Sequence, residues 1–172
     1  MNLIRCTHAQ ADEILAIYND AILNSTALYE YKPRTRETIQ AWFENKAKSN
    51  YPVVGIVSDS GELMGFGSYG AFRAFPAYKY TVEHSVYVAA KFRGRGLGRR
   101  LLHEVVSCAK AQGYHTLIGV IDSQNAVSIA LHENLGFQPA GTVRQSGFKF
   151  GRWLDIVLYQ LILETPENPM DG

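Results

Sequence analysis

Cysteine is scarce in this 172-residue chain: Cys6 and Cys108 are the only two, with no CxxC pair and no short Cys/His spacing. That count excludes a disulfide framework and a zinc knuckle, and a reducing, cytoplasmic setting is the expectation. An excess of charge of one sign is missing as well. Seventeen Lys and Arg face sixteen Asp and Glu, a formal charge of +1, so nothing here works as a polyanion binder through a whole-protein field, and any basic patch must be local. No uninterrupted apolar run approaches the roughly 20 residues that cross a bilayer. The opening MNLIRCTHAQADE also lacks the apolar stretch of a signal peptide. Membrane insertion and secretion are therefore not expected. Internal repeats, low-complexity stretches and dividing linkers are absent too. With 47% apolar and 19% charged residues, residues 1–172 read as one domain, with a core over about 2–164 and a polar tail, TPENPMDG, over 165–172.

What is present is periodicity. Ile14, Leu15, Ile17, Tyr18, Ala21 and Ile22 recur at helical spacing and predict an amphipathic helix over Ala11 to Leu23. Asn24 to Pro33 reads as a loop that carries Leu28, Tyr29 and Tyr31. Thr35 is placed to cap a second helix bearing Ile39, Trp42 and Phe43. From Tyr51 the pattern changes: PVVGIVS and ELMGFGSYGAF flank Asp59, Ser60 and Gly61, the chemistry of a hairpin turn. YTVEHSVYV, residues 80 to 88, is a further strand. Leu97, Leu101, Val105 and Ala109 mark a helix ending near Gly113. TLIGVI follows at 116 to 121, then a helix from about Ala126 to Asn134 stopped by Gly136, then β-like runs over Phe137 to Phe150 and Leu154 to Leu163. Leu3 and Ile4 are only a short apolar segment, and the tail is expected to fray. The order ααβββαβαββ predicts an α+β domain on a mixed, mostly antiparallel sheet.

The most specific feature is Arg93-Gly94-Arg95-Gly96-Leu97-Gly98-Arg99-Arg100, set between a strand and a helix. Glycines let backbone N–H groups approach a ligand closely, and a helix N-terminus adds about half a positive charge. Arginine forks grip phosphate oxygens. A diphosphate fits such a loop, although a Gly-rich strand-to-helix connection can also simply turn. A P-loop would need Gly-Lys-Ser/Thr, and the dinucleotide fingerprint needs a third Gly where Arg99 stands. Neither is satisfied.

Arg93-x-x-Gly96-x-Gly98 at this place resembles the pyrophosphate loop of the GNAT acetyl-CoA-dependent N-acetyltransferases. The similarity runs over about residues 2–164 and includes SQNAVSIALHENLGF and the final strands. Tyr80 to Val88 and Gly147 to Asp155 resemble the phosphinothricin/methionine sulfoximine acetyltransferase branch, which acetylates the α-amino group of small amino acids and their analogues. The resemblance implies a GNAT-like sheet flanked by helices on both faces, acetyl-CoA as cosubstrate, no metal and a homodimer. It also implies that the backbone of Val86, Tyr87 and Val88 pairs with the pantetheine arm. Arg93, Gly94, Arg95, Gly96, Leu97, Gly98 and Arg99 would hold the pyrophosphate, while Asn125 and Asn134 would line the cofactor arm. By their own chemistry Asn125 reads as a helix cap and Asn134 as a helix terminator.

Acetyl transfer to an amine needs a neutral nitrogen, a polarised thioester carbonyl and a proton for the departing thiolate. Strand alternation puts Thr81, Glu83, Ser85 and Tyr87 on one face and Val82, His84, Val86 and Val88 on the other. Glu83 alone would read as a solvated strand face; the family position makes it the general base. The resemblance gives Arg73, Ala74, Phe75, Glu83, His84 and Ser85 to the acceptor, with the Arg73 guanidinium suited to its carboxylate. By default His84 is a core histidine. Where many family members carry Leu-Tyr-x-x-x-Gly-Phe, this chain has Leu131-His132-Glu133-Asn134-Leu135-Gly136-Phe137. His132 is therefore a candidate for thiolate protonation or amine deprotonation, or else a histidine on the helix surface. Lys149 and Arg152, with Phe150 and Trp153, offer further pocket walls, an edge-strand surface or a subunit contact. Leu28 to Tyr31 could close the pocket or pack the core.

Two other function classes compete. One is an acetyltransferase for a peptide N-terminus, a polyamine or a drug amine. The other is a noncatalytic acyl-CoA sensor or a nucleic-acid binder. Near-zero charge and the lack of stacking aromatics among the loop arginines disfavour nucleic acid, and the cationic candidates suit an anionic acceptor better than a polyamine.

Overall fold

Periodicity did not reveal the first strand. Asn2–Arg5 forms β1, and it pairs antiparallel with β2, Val53–Val57, placing Leu3 opposite Ile56 and Ile4 opposite Gly55. Four residues are too few for alternation to register, so the partner strand supplies what the local sequence lacks. The helices α1, Ala11–Asn24, and α2, Arg36–Lys48, follow closely the expected bounds. Thr35 caps α2 by accepting the Thr38 N–H at 3.3 Å. β3, Leu63–Ala71, returns antiparallel to β2 through a turn in which Gly61 takes φ +84° and donates to the Ser58 carbonyl at 3.0 Å. The remaining elements are β4, Thr81–Val88; α3, Leu97–Ala111; β5, Thr116–Asp122; α4, Ala126–Glu133; β6, Gln138–Lys149; and β7, Arg152–Ile162.

The strands run in the order β1-β2-β3-β4-β5-β7-β6. β4 and β5 are parallel, while β1–β2, β2–β3, β5–β7 and β6–β7 are antiparallel. This is the mixed, mostly antiparallel α+β sheet that the order of elements predicts. The computed structural model describes residues 1–171, which form two compact units that share β3, β4 and α3.

The first unit comprises Met1–Tyr69 and Ser85–Glu104. Ala11, Ile14, Ile17 and Tyr18 of α1 and Ile39 and Phe43 of α2 bury against Val53, Leu63 and Phe66. The Tyr18 ring stands edge-on to Phe66 at 4.9 Å and to Trp42 at 5.8 Å, a geometry that adds about 0.5–1.5 kcal/mol per pair beyond burial. The other face of β3 is bare at Gly65, where a Cβ would meet the Tyr87 carbonyl oxygen at 2.7 Å and Leu101 of α3 at 3.1 Å. Helices thus cover both faces of this part of the sheet.

The second unit comprises Gly70–His84 and the chain from Val105. β5 and β7 pair from Thr116↔Ile162 to Asp122↔Ile156. The β6–β7 hairpin closes on Phe150 and Gly151, both left-handed at φ +53° and +73°, the conformation that matches strand twist in a tight turn. β6 bulges between Val143 and Gly147, where Gln145 at φ +52° donates its N–H to Asp155 Oδ1 at 2.7 Å. Of the tail, residue 172 lies outside the described residues, and the part up to 171 does not fray as expected. Thr165 Oγ1 donates to the Tyr114 carbonyl at 2.5 Å, and the Met170 N–H donates to the Tyr80 hydroxyl at 3.2 Å. Among the described residues no helix is long and apolar enough to cross a membrane.

Candidate functional site

In the first unit the Gly-rich loop leads into α3. Gly94 and Gly96 sit at φ +75° and +74°, and a Cβ at either would meet nothing within 4 Å. Backbone conformation, not crowding, therefore demands glycine here, and the space beside the loop is open. The arginines divide by partner. Arg93 donates to the Val88 carbonyl at 3.2 Å and approaches Asp20 at 3.3 Å, bracing the loop on its flanks. Arg95 lies 5.4 Å over the Phe92 ring, and Arg99 is exposed. Leu97 is buried, so of its groups only the backbone is on offer. Val86 and Val88 are half-buried, and the Tyr87 ring packs on Tyr18 at 5.0 Å and Phe66 at 5.5 Å.

In the second unit the register of β4 with β5 covers Thr81↔Thr116, Val82↔Leu117 and Glu83↔Ile118. Glu83 is half-buried. Burial raises its carboxyl above the ordinary range, and the Arg73 guanidinium works against that rise. The fold thus puts Arg73 near enough for its charge to act on Glu83. Arg73 itself is exposed, stacks 4.1 Å over Phe72 and donates to the Phe72 carbonyl; Ala74 and Phe75 beside it are exposed as well.

His132 is not a surface residue of α4: it is 5% exposed and its Nε2 lies 3.2 Å from Nε2 of His84, itself 7% exposed. The partners settle the protons. His132 Nδ1 is 2.7 Å from the Ser128 carbonyl, which can only accept, so Nδ1 carries the hydrogen and Nε2 holds a lone pair. His84 must then donate from Nε2, which leaves its buried Nδ1 as an acceptor without a partner. Burial pushes His84 down to about 3 and lowers His132, so both rings are neutral at ordinary pH. Phe137 walls both rings, at 5.4 and 5.0 Å. Gly119 of β5 makes room: a Cβ there would stand 2.9 Å from His132 Nε2 and 3.0 Å from His84 Nε2.

Several expected site residues carry structural duties. Asn125 caps α4, its Oδ1 accepting the Ser128 N–H at 3.1 Å. Asn134 ends the same helix, its N–H donating to the Ala130 carbonyl at 3.0 Å. Lys149 is no exposed pocket cation, being 5% exposed with Nζ 5.0 Å over the Phe150 ring. The His84 side chain is turned to His132, so any contact of His84 with an acceptor falls to its backbone. Sequence reasoning missed Gly119, although a glycine inside TLIGVI is a signal of close approach. It also missed the placement of Arg34, whose guanidinium is forked on Glu30 and lies 4.0 Å over the Tyr18 ring.

Residues 4–158 match the Acetyltransferase (GNAT) domain family, and the chain belongs to it. It is 47% identical over 155 residues, 90% of each chain, to the L-methionine sulfoximine/L-methionine sulfone acetyltransferase of Pseudomonas aeruginosa. Among solved structures it resembles an N-acetyltransferase from Staphylococcus aureus, with a TM-score of 0.92, 44% identity and coverage of 94% of this chain and 97% of that one. It also resembles a GNAT superfamily phosphinothricin acetyltransferase from Sinorhizobium meliloti in complex with acetyl-CoA, with a TM-score of 0.94, 35% identity and coverage of 98% and 91%.

Proposed function

We propose that this chain transfers the acetyl group of acetyl-CoA to the α-amino group of a small amino acid or analogue such as L-methionine sulfone, L-methionine sulfoximine or phosphinothricin. The observation that carries the reading is Glu83, a half-buried carboxyl raised by burial, with the Arg73 guanidinium near enough for its charge to act on it. A base next to a planar cation suits a molecule that presents an ammonium and a carboxylate together. The open left-handed glycines at 94 and 96 fit the cosubstrate's diphosphate on the backbone of residues 94–99, with the main chain of Val86 to Val88 for its pantetheine arm. Bound there, acetyl-CoA supplies the activated acyl group.

Arg73 orients the acceptor through its carboxylate. Glu83 takes a proton from the ammonium, directly or through a water, and frees the nitrogen lone pair for attack. His132 carries no hydrogen at Nε2 to give to the thiolate, so of its two candidate roles we favour amine deprotonation, which requires the His84 Nε2–H to release that lone pair first. Asn125 and Asn134 hold α4, which carries His132. We further read the protein as a cytoplasmic homodimer. The support is an exposed apolar group at the β6–β7 turn, formed by Phe148, Phe150 and Trp153.

An acceptor panel followed by thiol release tests the reading. Free coenzyme A should appear with methionine sulfone, methionine sulfoximine or phosphinothricin, and the dimer should sediment as one species. Release only with polyamines or a peptide N-terminus would overturn the acceptor class, and saturable acetyl-CoA binding without turnover on any amine would make the chain a sensor.

A further inference from the structure

Arg93 stands between the two stretches of main chain read as the cosubstrate site, Val86 to Val88 at the end of β4 and residues 94–99 leading into α3. Two nitrogens of its guanidinium are engaged by the protein. Nε donates to the Val88 carbonyl at 3.2 Å, and Nη2 donates to Asp20 Oδ2 of α1 at 3.3 Å. The other oxygen of Asp20 accepts from Asn24 Nδ2, one turn further along the same helix, at 2.9 Å. Ile17, Tyr18 and Ala21 around Asp20 are buried, so the carboxylate is carried by an element that the core holds still. The planar fork of an arginine fixes the directions of both of its bonds at once. One side chain thereby joins α1, the last residue of β4 and the residue that precedes the left-handed Gly94.

The pair does little for stability. The Arg93 and Asp20 side chains are 56% and 36% exposed, and exposed ion pairs contribute little to a fold. Nor does charge account for the aspartate, since a carboxylate beside a loop that takes a diphosphate repels the ligand. As the fixed end of a brace it makes physical sense. Held by Asn24, Asp20 sets where the Arg93 guanidinium lies, and Arg93 in turn sets the spacing of the β4 main chain and the glycine loop. Backbone donors already held in place lose less freedom on binding than donors that must first be ordered.

We infer that Asp20 is a positioning residue for the cosubstrate, acting through Arg93 to hold the end of β4 and the glycine loop in register. This rests on the reading of Val86 to Val88 and residues 94–99 as the acetyl-CoA site. It gives the Arg93 side chain a brace's part and leaves the diphosphate to the backbone beyond it.

The test is calorimetric titration of acetyl-CoA into wild type, Asp20→Ala, Arg93→Met, Arg93→Lys and the Asp20→Ala/Arg93→Met double variant, with the KM for L-methionine sulfone and thermal melts alongside. The sign discriminates, because charge alone predicts tighter binding of an anionic ligand once Asp20 is removed. Asp20→Ala should instead weaken acetyl-CoA binding about threefold, a size within reach of an exposed pair, and leave the acceptor KM and the melting temperature near those of wild type. Arg93→Met loses both bonds and should weaken binding about tenfold. Arg93→Lys keeps the charge without the fork and should resemble Arg93→Met. With Arg93 already replaced by Met, removing Asp20 should cost nothing more. Unchanged or tighter binding in Asp20→Ala, a Arg93→Lys protein that binds like wild type, or an Asp20→Ala loss that persists in the Arg93→Met background would overturn the inference and leave the cosubstrate reading intact. Wild-type protein without saturable acetyl-CoA binding would overturn both.

Discussion

A methyl group placed on Gly119 tests the buried histidine pair directly. In Gly119→Ala the new carbon would lie 2.9 Å from His132 Nε2, 3.0 Å from His132 Cδ2 and 3.0 Å from His84 Nε2, so each ring must withdraw by roughly half an ångström or more to reach ordinary contact. Phe137 stands behind both rings and neither has solvent to move into. Overpacking of this kind costs about 1–3 kcal/mol. Stretching the Nε2–Nε2 hydrogen bond removes about 1 kcal/mol more. Relief of glycine's backbone entropy returns about 0.5–1 kcal/mol. The net expectation is a loss of about 2 kcal/mol, seen in urea unfolding as a lower midpoint with an unchanged slope. In a thermal melt it is a drop of about 4–8 °C. In a His132→Ala background, where the methyl has room, the same substitution should cost at least about 1 kcal/mol less. A Gly119→Ala protein with the midpoint of wild type, or a cycle with no coupling, would refute the packing described for the pair.

Other outcomes follow from the same geometry. His84 is held at about 3 in the folded chain against 6.5 for the free side chain, so the unfolded state binds this proton first. Stability should be full above pH 6.5 and fall by about 1.4 kcal/mol per unit as the pH drops below it. His132, also lowered, adds to the fall; urea midpoints from pH 7.5 to 5 that do not move would contradict it. Glu83→Gln should lower kcat/KM by about 10²–10⁴, and wild-type activity should rise with pH through a range above that of an ordinary carboxylate; rates within threefold at every pH would remove Glu83 from the chemistry. Gly96→Ala forces a side chain into φ +74°, which costs about 1–2 kcal/mol, and calorimetry should show weaker acetyl-CoA binding. Unchanged affinity would show that the loop does not hold the cosubstrate.

Much of this fold was legible in the sequence because its signals are local. The apolar stripe of α1, the Thr35 cap on α2 and the Asp59 to Gly61 turn each need only a few neighbouring residues, and each stands where periodicity and turn chemistry put it. The Gly-rich loop was legible for the same reason, since left-handed φ at residues 94 and 96 is a property of the chain next to it. β1 was not, because a four-residue strand exists only by virtue of its partner. The tail was taken for a fraying end because its polar composition says nothing of the Tyr80 hydroxyl, 90 residues away, that receives the Met170 N–H.

The same division runs through the site. Strand alternation alone put Glu83 and Ser85 on one face and His84 on the other, and the amino-acid order alone supplied the arginines around the Gly-rich loop. Tertiary structure decided the rest. It buried His132 against a histidine 48 positions earlier, fixed both tautomers through the Ser128 carbonyl, removed Lys149 from the exposed cations and hung Arg34 over Tyr18. Apart from the Ser128 contact, one helical turn away, none of these is periodic or local. Each depends on which groups are left without water when the elements pack, and burial of that kind is set by the assembled fold, not by any stretch of chain read alone.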